Sequence, residues 1–230
     1  MELLTQQILN GLVLGSVYSL VAIGYTMVYG ILQLINFAHG EVLMMGAMVA
    51  LTLVTILQIY FPTLNPIFIL LLATAFAAII CAMLAASIEK IAYRPLRKAP
   101  RLSPLITAIG ISIILQTLAM IIWGPNPRVF PDLLPTNSIT FYGAVVVPKQ
   151  ILIISVSLVS MTILLIVVNK TKLGRAMRAV SENPNAAALM GISINKIISI
   201  TFIIGAILAA IAGVLVSLNY NFVHFTMGFI

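Results

Sequence analysis

The sequence predicts an all-α fold: a polytopic helical membrane protein with about six spans. Hydrophobic residues make up 62% of the chain and charged residues 7%, whereas soluble domains carry about 25% charged residues. A chain this apolar must have lipid as its solvent. Uncharged runs close to the ~20 residues that a helix needs to cross the hydrocarbon core recur along the sequence. Lipid offers no hydrogen-bond partners to an open strand, so each run predicts a helix.

The predicted spans follow one another without a soluble domain between them, so we predict one transmembrane domain over 1–230. Small residues four apart predict close helix packing, either inside the molecule or between subunits. They are Gly11 and Gly15 in the first span, and Gly205, Ala209 and Gly213 in the last. The spans are 8–29, 42–60, 67–88, 105–123, 150–168 and 197–218.

Basic residues predict the orientation of these spans. Ten of the twelve Lys and Arg residues lie in two connections, 89–104 and 170–196, which are separated by two spans. The positive-inside rule places both in the cytoplasm. The Pro-rich connection 124–149 is then external, 31–41 lies near the cytoplasmic side, and the N-terminus is outside. Orientation accounts for the net charge of +7, and nothing in the pattern indicates nucleic acid as a partner.

The connection 170–196 is long for a membrane protein and predicts a short helix of its own. Asn183 suits the N-cap, Pro184 the first helical position, and Gly191 the left-handed residue just past the end. The helix-favouring sequence between them predicts a helix over Pro184–Met190. Such a helix is either a docking element for another protein or a plain solvated or lipid-facing connector.

The segment near 31–41 interrupts the apolar pattern with polar residues. Asn36, His39, Gly40 and Glu41 are costly at membrane depth unless they line a cavity or reach the interface. A discontinuous helix beside a transport pathway explains them, and so does an ordinary interfacial turn. On a regular helix His39 and Glu41, two residues apart, do not face each other. Two such side chains are too few for a metal site.

Enzyme motifs are missing from the sequence. There is no GxxxxGK[ST] loop for ATP, no HExxH and no GxSxG. We therefore predict a non-enzyme without catalytic residues, cofactor or metal. A self-contained carrier is an alternative, but carriers driven by protons or sodium ions need embedded carboxylates. Of the five acidic residues only Glu41 falls near a predicted membrane cavity, so energy for active transport must come from a partner.

Four segments, spread in order over nearly the whole chain, resemble the membrane permease subunits of branched-chain amino-acid ABC importers. They are NGLVLGSVYSLVAIGYTMVYGILQLINFAHGE, IEKIAYRPLR, LITAIGISIILQ, and GRAMRAVSENPNAAALMGISINKIISITFIIGAILAAIAGVL. INFAHGE, followed by AYRPLR and then by the GRAxR loop, is a specific combination.

The resemblance implies a bacterial inner-membrane subunit that works with several partners. These are a second, related permease, cytoplasmic ATP-binding subunits and a periplasmic substrate-binding protein. It makes 170–196 a cytoplasmic coupling loop, whose ATPase-docking residues are Gly174, Arg175, Arg178, Glu182, Asn183, Pro184, Ala187 and Gly191. The family's INFAHGE motif includes Asn36, His39, Gly40 and Glu41, and we infer from their polarity, not from the resemblance, that they are candidates for the transport pathway. Similar permeases serve urea or short amides, so these substrates are an alternative.

Family members continue beyond a stretch like NYNFVHFTMGFI into a Gly-rich segment and further spans. The resemblance therefore predicts that this chain is C-terminally incomplete, and that the family fold has about eight spans.

Overall fold

Six long apolar helices form the body of the protein, as the sequence predicts. The structure, a computed structural model, describes residues 2–32, 36–97, 99–100, 102–135, 138–141 and 144–229. Part of the interruption near 31–41, and Lys98 and Arg101 of the first basic connection, lie outside the described residues. The membrane helices are α1 (Glu2–Leu32), α2 (Ala38–Tyr60), α3 (Pro66–Ile88), α5 (Leu102–Trp123), α6 (Pro148–Lys170) and α9 (Ile194–Tyr220).

The remaining elements are short. A π-helical turn (Glu89–Tyr93) carries α3 into α4 (Arg94–Leu96), and the connection after α6 holds α7 (Lys172–Glu182) and α8 (Pro184–Leu189). Two small antiparallel pairs follow α5: β1 (Arg128–Val129) with β4 (Phe222–Val223), and β2 (Ile139–Phe141) with β3 (Ala144–Val146). A 3₁₀ turn, Met227–Phe229, ends the described chain.

The centre of the bundle is the contact between α2 and α9, the helices with the largest buried share. Small residues allow it: a Cβ on Gly46 would lie 2.6 Å from Cα of Ala210, and a Cβ on Gly213 would overlap the backbone of Leu43. Gly205 likewise packs on α1, where an added Cβ would lie 3.4 Å from the Gly24 carbonyl oxygen. The small residues of the last span therefore serve packing inside the molecule. Gly11 and Gly15 of the first span have open space around them.

The ends of the helices define two faces. The basic face carries α7 and α8, and there the Ser181 hydroxyl donates to the Gly30 carbonyl near the end of α1. The opposite face carries the strands, and there Gln6 at the start of α1 exchanges hydrogen bonds with the backbone of Val145. The helix alternation thus agrees with the span count made from the sequence, while the assignment of the basic face to the cytoplasm stays a prediction.

Candidate functional site

The start of α2 lies deep inside the bundle and not at its edge. His39 packs beside Gly24, about two turns before the end of α1, and Gly205, about three turns into α9. Glu41 contacts Ser112 and Gln116, in the middle of α5. Asn36, His39 and Glu41 are 8%, 3% and 1% exposed. The polar side chains at the start of α2 are therefore buried among α1, α5 and α9, and their position relative to the membrane stays a prediction.

Asn36 fixes this buried helix start. Its side-chain Oδ1 accepts from the backbone N–H of Ala38 at 3.2 Å and from the Tyr93 hydroxyl at 2.7 Å. Its carbonyl oxygen accepts from the N–H of His39 at 3.0 Å. These bonds satisfy N–H groups that a helix start leaves without intrahelical partners, which is necessary where no water can replace them. One side chain thereby links the interruption to the end of the π-helical turn.

A second interrupted segment, residues 221–229 after α9, meets the first one, residues 36–41. After α9 the chain reaches the opposite face, pairs through β4 with β1, and turns back so that Gly228 lies against Gly40. A Cβ on Gly228 would be 2.6 Å from the Gly40 carbonyl carbon and 2.9 Å from Cδ of Glu41. Both segments begin with N-F-x-H, at Asn36–His39 and at Asn221–His224. They follow helices that run in opposite directions, an arrangement typical of transporter substrate sites.

The polar groups at this meeting point are incompletely paired. Oε1 of Glu41 accepts from Ser112 Oγ at 3.0 Å and from Gln116 Nε2 at 2.7 Å. Oε2 of Glu41 and Nε2 of His39 are buried and have no hydrogen-bond partner in the described part of the chain. His39 and Glu41 do not bond each other; the His39 ring makes an edge contact with Tyr25 at 5.8 Å between centroids. A cavity of about 10 Å³ beside His39 has room for about one water.

A second buried carboxylate, missed by the sequence analysis, lies near the basic face. Glu89 is fully buried and forms ion pairs with Arg94, at 3.1 Å, and with Arg97. Ser199 of α9 donates to Oε2 of Glu89 and accepts from Arg94 at 3.0 Å. The network joins the π-helical turn to the start of α9. Glu89 is five residues from Arg94 and eight from Arg97, which are not the three- and four-residue spacings of neighbours on an α-helix, so the spacing gave no signal.

The predicted helix in the basic connection is present as α8. Asn183 Oδ1 accepts from the N–H of Ala186 at 3.0 Å, Pro184 is the first helical residue, and Gly191 has a φ of 81°. The prediction extended the helix by one residue, to Met190, which the structure makes the C-cap. The preceding helix α7 was not predicted. It is capped by Thr171, whose hydroxyl accepts from the N–H of Gly174 at 3.1 Å.

Residues suggested for ATPase docking divide into buried and exposed groups. Gly174 and Ala187 are buried, so they position the helices and offer no docking surface. A Cβ on Gly174 would overlap the Val168 carbonyl. Arg178 is exposed and donates to the same carbonyl, near the end of α6. The other exposed members of the suggested set are Arg175, Glu182, Asn183, Pro184 and Gly191.

The tip of α8 adds two apolar residues that the sequence analysis did not select. Leu189 and Met190 are 90% and 82% exposed on the basic face. The other side of α8 is anchored, because Ala187 packs with Met177 and Val180 of α7 and with Ile197 of α9. Helix α8 thus exposes two apolar residues at its end while its opposite side packs on α7 and α9. Among the described residues no group of three or more His, Cys, Asp or Glu side chains could hold a metal ion.

Known proteins match this chain over almost its whole length. A family model described as the permease component of branched-chain amino acid transport systems matches residues 7–230. The permease protein BraD of a high-affinity branched-chain amino acid transport system in Pseudomonas aeruginosa is 45% identical, over 98% of this chain and 74% of its own length.

The corresponding LivH proteins of Escherichia coli and Salmonella typhimurium are each 40% identical, over 97% of this chain and 74% of their own length. No solved structure matches the chain significantly. The chain therefore belongs to the family of membrane permease components of branched-chain amino acid transport systems.

Proposed function

We propose that this chain is the membrane permease subunit of an ATP-driven importer that moves leucine, isoleucine and valine into the cell. The observation that carries the proposal is the exposed apolar tip of α8, whose other side packs on α7 and α9. The sequence itself contains no ATP-binding loop. The proposed partners are cytoplasmic ATP-binding subunits, a second related permease and a periplasmic substrate-binding protein. The names of the relatives support the class of substrate.

The docking surface for the ATP-binding subunit is the exposed side of α7 and α8. Leu189 and Met190 are almost fully exposed to solvent in the free chain. Burying two such side chains removes apolar surface from water, which favours association. Arg175, exposed on α7, adds a cation that can pair with an acidic group of the partner. Arg178 contributes less directly, since it already donates to the Val168 carbonyl.

The transport pathway passes the meeting point of the two interrupted segments. Asn36, His39, Gly40 and Glu41 supply polar groups together with Ser112 and Gln116 of α5. Val28 of α1 and Phe202 of α9 supply apolar surface beside His39. Interrupted helices of opposite direction leave backbone groups free to contact polar cargo. An aliphatic amino acid needs both kinds of surface, because its side chain is apolar and its backbone groups are charged.

Co-purification with a matched pair of variants tests the docking surface. Leu189→Ser combined with Met190→Ser is expected to abolish recovery of the ATP-binding subunit with the tagged permease, because the apolar contact is lost. Val129→Ser removes an equally exposed apolar residue, 78% exposed, from the opposite face, and is expected to leave recovery unchanged. Normal recovery with the double variant would exclude docking at the α8 tip.

Uptake by proteoliposomes tests the transport assignment and separates it from the alternatives. The complete complex, with binding protein and internal ATP, is expected to accumulate [³H]leucine, and to do so only with ATP. Leucine uptake by the permease alone, without ATP, would show a self-contained carrier. Uptake of urea or acetamide in place of leucine would show a permease of the same family for short amides.

A further inference from the structure

The carboxyl group of Glu41 is an unpaired acceptor at the centre of the bundle. It is 1% exposed, and one of its oxygens, Oε2, has no partner among the described residues. From this geometry we propose that Oε2 of Glu41 receives the α-ammonium group of the transported amino acid. The inference rests on the function proposed above, and names the group of the substrate that the permease itself binds.

The surroundings of Glu41 hold no described cation that could balance a carboxylate charge. The two donors to Oε1, Ser112 and Gln116, are neutral. Both ion pairs found in the described part of the chain belong to Glu89, so no described cation faces Glu41. A buried carboxylate without a cation is costly, and an amino acid brings a cation with it. Ser112 and Gln116 occupy Oε1 and leave Oε2 without a donor among the described residues.

The two glycines beside Glu41 let the interrupted segments close over the carboxylate. A Cβ on Gly228 would lie 2.9 Å from Cδ of Glu41, and a Cβ on Gly40 would overlap the Gly228 carbonyl. In this closed arrangement the Gly228 backbone fills the space in front of the carboxyl group. Moving one backbone segment away from the other opens that space without rearranging any large side chain.

The chemistry of the site favours a primary ammonium over an uncharged amide. An ammonium has three donors and a full positive charge, and its hydrogen bond to a carboxylate is about twice as strong as one between neutral groups. Urea or a short amide has donors but no charge, and would leave the buried carboxylate unbalanced. The apolar residues on the same part of α2, such as Val42 and Met44, suit the aliphatic side chain of the same substrate.

Charge removal at position 41 gives the first test, in proteoliposomes that contain the complete complex. Glu41→Gln keeps the size of the side chain and removes its charge. It is expected to lower the maximal rate of leucine uptake by at least about tenfold, because one charge-assisted hydrogen bond is lost. The half-saturating leucine concentration, which the binding protein sets, is expected to stay the same. Glu41→Asp keeps the charge and is expected to transport faster than Glu41→Gln. Wild-type rates with Glu41→Gln would overturn the proposal.

Cysteine labelling gives the second test, because a purely structural carboxylate would also make uptake sensitive to substitution. Cys81 is the one cysteine of the chain, so Cys81→Ala provides the background. Glu41→Cys is expected to react with a cationic methanethiosulfonate, itself a quaternary ammonium, at least about tenfold faster while ATP is hydrolysed than without ATP. Ala77→Cys, fully buried on α3, is the control that stays unlabelled. Slow uptake by Glu41→Gln and Glu41→Asp, together with no labelling of Glu41→Cys, would show that Glu41 has only a structural role. That result would overturn the proposal.

The two proposals fail in different ways. Absence of ATP-dependent leucine uptake by the wild-type complex would reject the proposed function before any variant is compared. Leucine uptake by the wild type, with equal uptake by Glu41→Gln, would leave the function standing and reject the role of Glu41.

Discussion

Gly174 shows at the residue scale how a missing side chain positions α7 against α6. A Cβ at this position would overlap the Val168 carbonyl, and the backbone on both sides is helical. Gly174→Ala therefore forces α7 away from α6, and overpacking of this kind costs about 1–3 kcal/mol. We expect reduced recovery of the ATP-binding subunit and a lower melting temperature in detergent. Gly11→Ala, where nothing lies within 4 Å of the new Cβ, is the control and should cause neither change.

Glu89 is the residue whose replacement should destabilise the protein most directly. Glu89→Gln leaves the partly buried Arg97 and Arg94 without their carboxylate, and breaking a buried ion pair in this way costs about 3–5 kcal/mol. Because the Arg94 side chain is 36% exposed, water relieves part of this cost and we expect the lower end, about 3 kcal/mol. Thermal unfolding in detergent measures it. The adjacent exposed Lys90, changed to Gln, should leave the melting temperature unaltered, and an equal shift in both variants would contradict the network.

At the element scale, α8 depends on one cap. The Asn183 side chain satisfies the N–H of Ala186, and Asn→Ala at an N-cap costs about 1 kcal/mol. A helix of six residues has little other stability of its own, so Asn183→Ala is expected to weaken binding of the ATP-binding subunit about fivefold. Surface plasmon resonance with the purified permease measures this change. Asn183→Asp or Asn183→Ser retains a capping oxygen and should bind like the wild type; equal weakening in all three would show that Asn183 contacts the partner directly.

The elements that could be predicted from the sequence are those with local signals. The spans follow from uninterrupted apolar runs, and α8 follows from Asn183, Pro184 and Gly191 within one short segment. Helix α7 also had local signals and could have been predicted, since Thr171 suits its N-cap and Leu173, Met177 and Val180 follow one another at helical spacing. The buried start of α2 depends on Tyr93, which is 57 residues away in the chain. Contacts at such distances leave no periodic pattern.

The candidate site shows the same difference between residues that have a local sequence signal and residues that do not. The polar residues Asn36, His39 and Glu41 could be selected because they are rare in so apolar a sequence. The residues that surround them could not be selected from the sequence. Ser112 and Gln116 look like ordinary small or polar residues of a span, and Gly228 lies in a different interrupted segment. The repeated N-F-x-H sequence was a signal for that second segment, but four residues are too few to indicate a repeat without the structure.

At the scale of the whole molecule, the docking surface and the buried site are joined by two helices. The cluster under α8 packs on the start of α9 and on Ile31 near the end of α1. Further along, Gly205 of α9 and Gly24 of α1 flank His39. We therefore expect a displacement of α7 and α8 to be passed to the two helices that pack beside His39 at the start of α2. This arrangement fits a rigid-body movement driven from the basic face, one of the usual forms of conformational switching.

This mechanism requires the basic face to be cytoplasmic, because ATP is present there, and the opposite face to be external. Single cysteines in a Cys81→Ala background test that orientation in whole cells. Asn185→Cys on α8 and Ser138→Cys beside β2 both place the thiol at an exposed position, on opposite faces. A membrane-impermeant maleimide should label Ser138→Cys in intact spheroplasts, and Asn185→Cys only after the membrane is opened, as the ten basic residues of the two connections predict. The reverse pattern would place α8 outside the cell, where no ATP-binding subunit could reach it.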